Sequence, residues 1–229
     1  MTVKECTNIL EGMDNIRFNV AALVLLLLLS SVAAIRKAPK VSRNRLFFAC
    51  CIADMIFQLS DIARLIAKNT LNSLSPQDAA FSACMLTIAI LSSITAISLF
   101  FCSAFFSAYL FSVVRGRLSL PRQQFLVFAP VALSLILLCV NIFHPVLFYI
   151  SKDGAFNQLP LFFAIFAYYI AYSSVITARS WDFMQKSDRP VIVFLVALCF
   201  SSILIQILFP QVHVVNLILP LVSLLAYQS

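Results

Sequence analysis

The sequence predicts an all-α polytopic membrane protein, a bundle of seven transmembrane helices. Of its 229 residues, 62% are hydrophobic and 11% are charged, whereas soluble domains average about 45–50% apolar and about 25% charged residues. The apolar residues, which include 22 phenylalanines, form blocks of helical length rather than the short alternating stretches of a membrane β-barrel. The composition therefore excludes a water-soluble globule and makes the lipid bilayer the expected surroundings.

Seven apolar blocks have lengths close to the roughly 20 residues with which a helix crosses about 30 Å of hydrocarbon. The third block is long enough to tilt or to continue past the bilayer, and the seventh is barely long enough to span it. An external N-terminal tail, residues 1–17, precedes a membrane domain of residues 18–229. The predicted helices cover residues 18–35, 46–67, 80–114, 124–143, 159–178, 191–209 and 212–227.

The positions of the basic residues predict the orientation of these helices. Eleven of the 16 Lys and Arg residues lie in the loops that follow predicted helices one, three and five. The positive-inside rule puts those loops in the cytoplasm, so the N-terminus is outside and the C-terminus is cytoplasmic. This agrees with an odd number of crossings. The formal net charge of +7 therefore indicates topology, and no nucleic-acid partner is expected.

A cleaved signal peptide is the alternative for the first helix, because Ser31-Val32-Ala33 has the small residues of a processing site. The preceding segment carries Glu5, Glu11 and Asp14 in place of the basic region of a signal peptide. A basic cluster follows the apolar block at once, as it does after a membrane-spanning helix. We therefore expect the first helix to be retained.

The most informative polar residues interrupt predicted helix two, where an ionisable side chain at the membrane centre costs at least about 2.5–3.5 kcal/mol. Spacings of four, three and three residues place them along one face of the helix. That face must turn toward protein or water rather than lipid. The residues of this polar stripe are Asp54, Gln58, Asp61 and Arg64.

Two interpretations of the polar stripe stay open. In the structural interpretation, Asp61 and Arg64 form an i,i+3 ion pair and Asp54 hydrogen-bonds to a Ser or Thr of predicted helix three, which locks the bundle. In the functional interpretation, the stripe contacts a ligand or an ion, because charges inside a membrane mark functional sites.

Further polar residues reach the same outer half of the membrane in the predicted topology and complete a candidate ligand pocket. Tyrosine rings of predicted helix five would form its wall and supply hydroxyl groups. For Asn141 and His144, contact with interfacial water is the alternative interpretation. Beyond the polar stripe, the candidate ligand-binding residues are Asn141, His144, Tyr168, Tyr172, Gln206 and Asn216.

The sequence carries no catalytic or cofactor signature. It has no Walker A, G-x-S-x-G or intramembrane protease motif, and predicted helix seven has no lysine for a retinal Schiff base. Six of the seven cysteines fall within predicted helices, where thiols pack as small apolar groups. The two histidines lack the context of a zinc site. We expect no catalytic residue, no metal, no cofactor and no enzyme activity.

Four stretches of the sequence resemble a known family of signalling proteins. They are Asn15-Ile16-Arg17-Phe18-Asn19, Arg43-Asn44-Arg45-Leu46-Phe47, residues 141–154 with Lys152-Asp153-Gly154, and Ile205-Gln206-Ile207-Leu208-Phe209-Pro210 followed by Asn216. Together they resemble the N-terminal seven-transmembrane sensor module of Firmicutes proteins that carry GGDEF-type diguanylate cyclase or histidine kinase domains. The sequence departs from that family after Asn141, where Ile142-Phe143-His144-Pro145 replaces the more usual Asn-Pro pattern.

The resemblance implies a receptor in the bacterial plasma membrane that takes part in signal transduction. We expect the module to bind a small or amphiphilic ligand in its outer half, and the kind of output that such modules control implies a homodimer. The module relays the signal through helix seven to a cytoplasmic output domain. The chain ends at Ser229, near the predicted inner membrane face and without a basic anchor, so we expect the output domain to belong to a larger protein.

Two other functions stay open from the residues alone. The first is a small membrane transporter or permease subunit in which Asp54 and Asp61 handle a proton or a cation. The second is a structural membrane partner that assembles with another subunit.

Overall fold

The computed structural model describes residues 16–17, 19–28, 30–31, 42–115, 121–183, 186 and 188–208, and this part of the chain is mostly helical. Four of its helices are long and apolar enough to cross a membrane by length and composition. These four are α2 (Ser42–Leu71), α3 (Ala79–Arg115), α4 (Pro121–Asn141) and α5 (Pro160–Arg179). The prediction of an α-helical protein with membrane-spanning helices is confirmed at this level.

Two further helices, a helical turn and a short hairpin make up the rest of the described part. Helix α1 covers Asn19–Leu28, α6 covers Asp188–Leu208, and a 3₁₀ turn covers Trp181–Phe183. Where both backbone and side chains are described without interruption, α1 and α6 provide the apolar segments Asn19–Leu28 and Arg189–Leu198. Each is shorter than a membrane span. Predicted helix seven, residues 212–227, and most of the N-terminal tail lie outside the described residues, so seven helices and their orientation stay a prediction.

Helix α2 begins four residues earlier and ends four residues later than the apolar block alone predicts. Ser42 and Leu71 lie beyond the continuous apolar block, so a criterion of apolar length stops short of them. The bounds of α5 lie within one residue of the prediction. Helix α5 begins with Pro160 at its first position after an extended Leu159, where proline loses no intrahelical hydrogen bond.

Many large apolar side chains on the outer faces of the helices are exposed. Phe125 is 70% exposed, Leu86 63% and Ile136 62%. A soluble monomer rarely presents wide apolar surfaces to water, whereas lipid tails are as apolar as these side chains. The exposed faces therefore suit contact with a bilayer.

Helices α2 and α3 pack antiparallel along most of their length through small and polar side chains. The Oγ atom of Ser60 lies 2.9 Å from Oγ1 of Thr95, and the Sγ atoms of Cys50 and Cys102 lie 3.5 Å apart. Small residues let helix backbones approach closely, and side-chain hydrogen bonds between helices hold them together inside a membrane. The polar face of α2 is therefore turned into the bundle.

Phenylalanine rings form the centre of the core between α3 and α5. The ring centroid of Phe100 lies 5.1 Å from that of Phe162 and 5.4 Å from that of Phe166. Offset and tilted rings at such distances attract one another beyond the burial of their area. The Phe162 ring also contacts Phe156, at 6.1 Å, which connects this core to the segment between α4 and α5.

A two-stranded antiparallel hairpin, which the sequence analysis did not predict, connects α4 to α5. Its strands are β1 (Phe148–Ile150) and β2 (Phe156–Gln158), paired so that Tyr149 faces Asn157. Asp153-Gly154 between two short apolar runs is a hairpin signal. The strands have three residues each and so do not form apolar blocks of helical length. We call this end of the molecule the hairpin end.

The tip of the hairpin rests against the ends of α2 and α3. Gly154 adopts φ +74°, a left-handed conformation that glycine takes readily. A Cβ atom at this position would lie 2.9 Å from Cδ2 of Leu71 and 3.2 Å from Cδ1 of Ile88. Beside it, a hydrogen bond from Ser151 lowers the pKa of the exposed Asp153 carboxyl, so the tip carries a charged, solvent-facing group.

We expect Gly154→Ala to destabilise the protein by about 1–2 kcal/mol, because an L-residue is strained at a positive φ and because the new methyl group meets Leu71. Thermal unfolding in detergent, followed by intrinsic fluorescence, measures the loss. Lys152→Ala, at an exposed position of the same turn, is the matched control. Equal unfolding temperatures for the two variants would contradict the tight contact of the tip with α2.

Candidate functional site

Asp61 and Arg64 of α2 form a buried ion pair near the hairpin end. Nε of Arg64 donates to Oδ1 of Asp61 at 3.0 Å, and Nη2 donates to the same oxygen at 2.5 Å. Both side chains are about 3% exposed. The i,i+3 ion pair expected from their spacing is confirmed, and the two charges compensate each other away from water.

Asn19 of α1 supplies the second oxygen of Asp61 with a hydrogen bond. Its Nδ2 atom lies 2.8 Å from Oδ2 of Asp61, and Asn19 is fully buried. A hydrogen bond to an ionised carboxylate is stronger than one between neutral groups. This contact fixes α1 against α2, and the sequence analysis did not place Asn19 in the site.

Phe156 of the hairpin covers the guanidinium group of Arg64. The Cζ atom of Arg64 lies 5.4 Å from the centroid of the Phe156 ring. A guanidinium over an aromatic face is attracted by the ring quadrupole, and the attraction is larger when the pair is shielded from water. Arg64 therefore connects α2 to the hairpin as well as to Asp61.

These four residues define the polar cluster of the molecule: Asn19, Asp61, Arg64 and Phe156. They come from three separate elements, α1, α2 and the hairpin. One carboxylate and one guanidinium hold all three together. Asn19 is a polar residue at the start of an apolar block, and this was the signal by which it could have been found. Phe156 gives no comparable signal, since its partner is remote in the sequence.

Asp54 and Gln58 continue the same face of α2 toward the opposite end of the bundle. Both are fully buried, and Nε2 of Gln58 donates to Oδ1 of Asp54 across 3.4 Å. The other carboxylate oxygen of Asp54, Oδ2, has no hydrogen-bond partner within the described residues. The structural interpretation is wrong in its bond from a Ser or Thr of α3 to Asp54: within the described residues Gln58 donates to Oδ1 and Oδ2 has no partner.

Asn141 holds the turn that leads from α4 into the hairpin. Its Oδ1 atom accepts hydrogen bonds from the backbone nitrogens of Val146, Leu147 and Phe148, at 2.8, 2.8 and 3.2 Å. Its Nδ2 atom donates to the carbonyl of Phe148 at 3.0 Å. The amide group lies at the end of α4, as the sequence predicted. Its hydrogen bonds go to the backbone of the turn and of β1. His144 is exposed in the same turn.

The tyrosines of α5 lie at another level of the bundle from the polar cluster. The hydroxyl of Tyr168 donates to the carbonyl of Leu126 at 2.6 Å, and Tyr169 donates to Val127 at 2.9 Å. Leu126 is about four helical turns before the end of α4 at the hairpin. Tyr172 stacks on Tyr168, with ring centroids 6.0 Å apart. The structure thus places these rings where they join α4 to α5, not beside Arg64.

Two candidates fall where the side chains are not described. Gln206 belongs to the backbone of α6, but its side chain lies outside the described part, and Asn216 lies wholly outside it. Within the described residues, no group of three or more His, Cys, Asp or Glu side chains is placed to hold a metal ion.

No protein-family model, curated protein or solved structure matches this chain. The fold and the polar cluster together define a class: an α-helical membrane protein that buries a compensated ion pair at one end of its bundle. The particular function has to be inferred from that geometry.

We expect Arg64→Met to lower the free energy of unfolding by about 3–5 kcal/mol, because it leaves the buried charge of Asp61 uncompensated. The double variant Asp61→Leu/Arg64→Met removes both charges and should be more stable than Arg64→Met alone. Unfolding of the purified protein in mixed detergent measures each value. Lys68→Met, one turn further along α2 and half-buried, is the control for the loss of a positive charge.

The single variant Asp61→Leu completes the comparison. If the double variant loses as much free energy of unfolding as Arg64→Met and Asp61→Leu lose together, the mutual dependence of the two charges is contradicted. Additive effects would mean that Asp61 and Arg64 do not depend on each other.

Proposed function

We propose that this protein is a transmembrane sensor module of a bacterial plasma membrane. It binds a small or amphiphilic ligand at the polar cluster in its outer half. The signal passes through the helices that follow α5 to a cytoplasmic output domain of the diguanylate cyclase or kinase type. The observation that supports this proposal is the position of Arg64, whose guanidinium contacts both Asp61 of α2 and Phe156 of the hairpin.

A ligand at Arg64 can change how three elements pack. A carboxylate or phosphate group matches the planar fork of a guanidinium better than an aromatic ring does. Such a group would take the place of Phe156 on Arg64 and so release the hairpin from α2. The ligand shifts the equilibrium by the difference between its affinities for the two arrangements. The proposal therefore favours an anionic amphiphile whose tail lies against the apolar outer faces.

The orientation and assembly belong to the same proposal. The hairpin end faces the outside, in agreement with the positive charges that the sequence concentrates in the loops at the other end. Asn141 and His144 lie at this outer end, beside the entry that a ligand would use. Gln206 and Asn216 remain candidate ligand-binding residues in this proposal. The signal would leave through predicted helix seven, and a homodimer is the form that output domains of this kind use.

A transporter or permease subunit is the second candidate function, and one observation favours it. Asp54 is fully buried, and one of its carboxylate oxygens has no hydrogen-bond partner within the part of the chain that the structure describes. A carboxylate of this kind suits proton or cation handling. Loss of flux in proteoliposomes of Asp54→Asn with unchanged ligand binding would favour transport over sensing.

A thermal-shift comparison in lipid nanodiscs tests the sensor proposal. We expect decanoate to raise the unfolding temperature of the wild-type protein, since a ligand of the native state stabilises it by mass action, by about 2.7 kcal/mol at 100 times its Kd. Decanol, with the same tail and no charge, should have no such effect. A short-chain phosphatidic acid tests whether a phosphate serves as well as a carboxylate.

The variants separate binding at the cluster from unspecific partitioning into lipid. Arg64→Met should lose the stabilisation by decanoate, whereas Lys68→Met should keep it. Equal stabilisation of all three proteins, or an equal effect of decanol, would contradict a site at Arg64. If no anionic amphiphile stabilises the wild type, the sensor proposal fails and the transporter takes its place.

A further inference from the structure

We infer that Asp54 is a proton-binding site within the membrane-spanning bundle, reached from the hairpin end along the polar face of α2. The inference goes beyond ligand sensing at Arg64 and does not depend on it. Two aspartates of the same helix face differ in their partners. Asp61 has Arg64 and Asn19 as partners, whereas Asp54 makes no ion pair among the described residues and receives one long hydrogen bond from Gln58.

Burial makes the charge of Asp54 costly to keep. The residue has no exposed surface, and an ionised carboxylate in an apolar interior is stable only when it is paired with a cation or well hydrogen-bonded. Its Oδ2 atom has neither kind of partner within the described chain. A proton bound to Oδ2 removes the charge and leaves Oδ1 to accept the hydrogen bond from Gln58.

Among the described residues, the other ionisable groups around Asp54 do not supply a compensating charge. On α2 itself they are the thiols of Cys50 and Cys51, which lie toward the end opposite the hairpin. On α3 the facing group is Cys102, whose Sγ atom lies 3.5 Å from that of Cys50. The residues that α6 contributes to the cluster around Cys51 are apolar, and Leu195 is the buried one. A thiol is neutral in such surroundings, so none of these groups acts as a cation.

The polar face of α2 gives the site a direction of access. From Asp54 toward the hairpin end, Gln58, Asp61 and Arg64 follow at intervals of one turn. The facing side of α3 adds Ser92 and Thr95, both buried. Ionisable side chains inside a membrane mark ion pathways and proton relays.

In the opposite direction the described neighbours of the polar face carry thiol, phenol and apolar side chains. Phe47, Cys51, Tyr109 and Leu195 form one buried cluster there, and none of these four is a carboxylate or a cation. The carboxylate, amide and guanidinium side chains of α2 extend from Asp54 toward the hairpin, so the proposed route of the proton is from that end.

Infrared difference spectroscopy of the protein in nanodiscs tests the inference, because the carbonyl stretch of a protonated carboxyl group is separate from the bands of carboxylates. Exposed Asp and Glu side chains are ionised at pH 7. We expect the wild type to show a protonated-carboxyl band at pH 7 that disappears reversibly in alkali and shifts in D₂O. Asp54→Asn should lack this band, and Asp61→Asn should keep it.

Gln58→Leu provides a test that does not require the loss of Asp54. Without the amide donor, the carbonyl of the protonated Asp54 accepts no hydrogen bond, so its stretch should move to higher frequency while the band persists. No protonated-carboxyl band in the wild type at any pH above 6 would overturn the inference. So would a band that survives in Asp54→Asn, disappears in Asp61→Asn, or stays unshifted in Gln58→Leu.

Discussion

Burying charge inside an apolar bundle costs free energy, and this cost explains how the polar end of the molecule packs. The ion pair of Asp61 and Arg64 is almost fully shielded from solvent. Each charge is therefore stabilised by its counter-charge and by the further contacts that it makes. Asn19 brings α1 to the carboxylate, and Phe156 brings the hairpin to the guanidinium. The packing of three elements at one end therefore follows from a single electrostatic requirement of α2.

Aromatic packing carries this local requirement into the core. Phe156 contacts Phe162, and Phe162 contacts Phe100 and Phe166 between α3 and α5. A change at Arg64 therefore affects the packed aromatic rings of the core as well as the hairpin. Close-packed side chains shift between discrete arrangements and deform little in between, which is the property that the proposed sensor requires.

The sequence predicted what depends on local composition and missed what depends on helix rotation. Apolar length located the spanning helices, and the i,i+3 spacing located the pair Asp61–Arg64. The sequence did not predict that Asn19 and Phe156 belong to the polar cluster. Their partners are remote in the chain, and loop order does not determine which helix faces meet. The tyrosines of α5 were expected beside the ion pair, but Tyr168 donates to the carbonyl of Leu126 in α4. The hairpin had a local signal at Asp153-Gly154, which a search for apolar blocks does not weigh.

Hydrogen exchange of the protein in nanodiscs, followed by mass spectrometry, tests most directly whether Arg64 couples α1 and the hairpin to α2. We expect Arg64→Met to speed exchange in peptides that cover residues 19–28 and 148–158, because local stability there depends on the cluster. Peptides of the α4–α5 contact around Leu126 and Tyr168 should exchange as in the wild type. Unchanged exchange in both cluster segments, or an equal increase throughout the chain, would contradict the account.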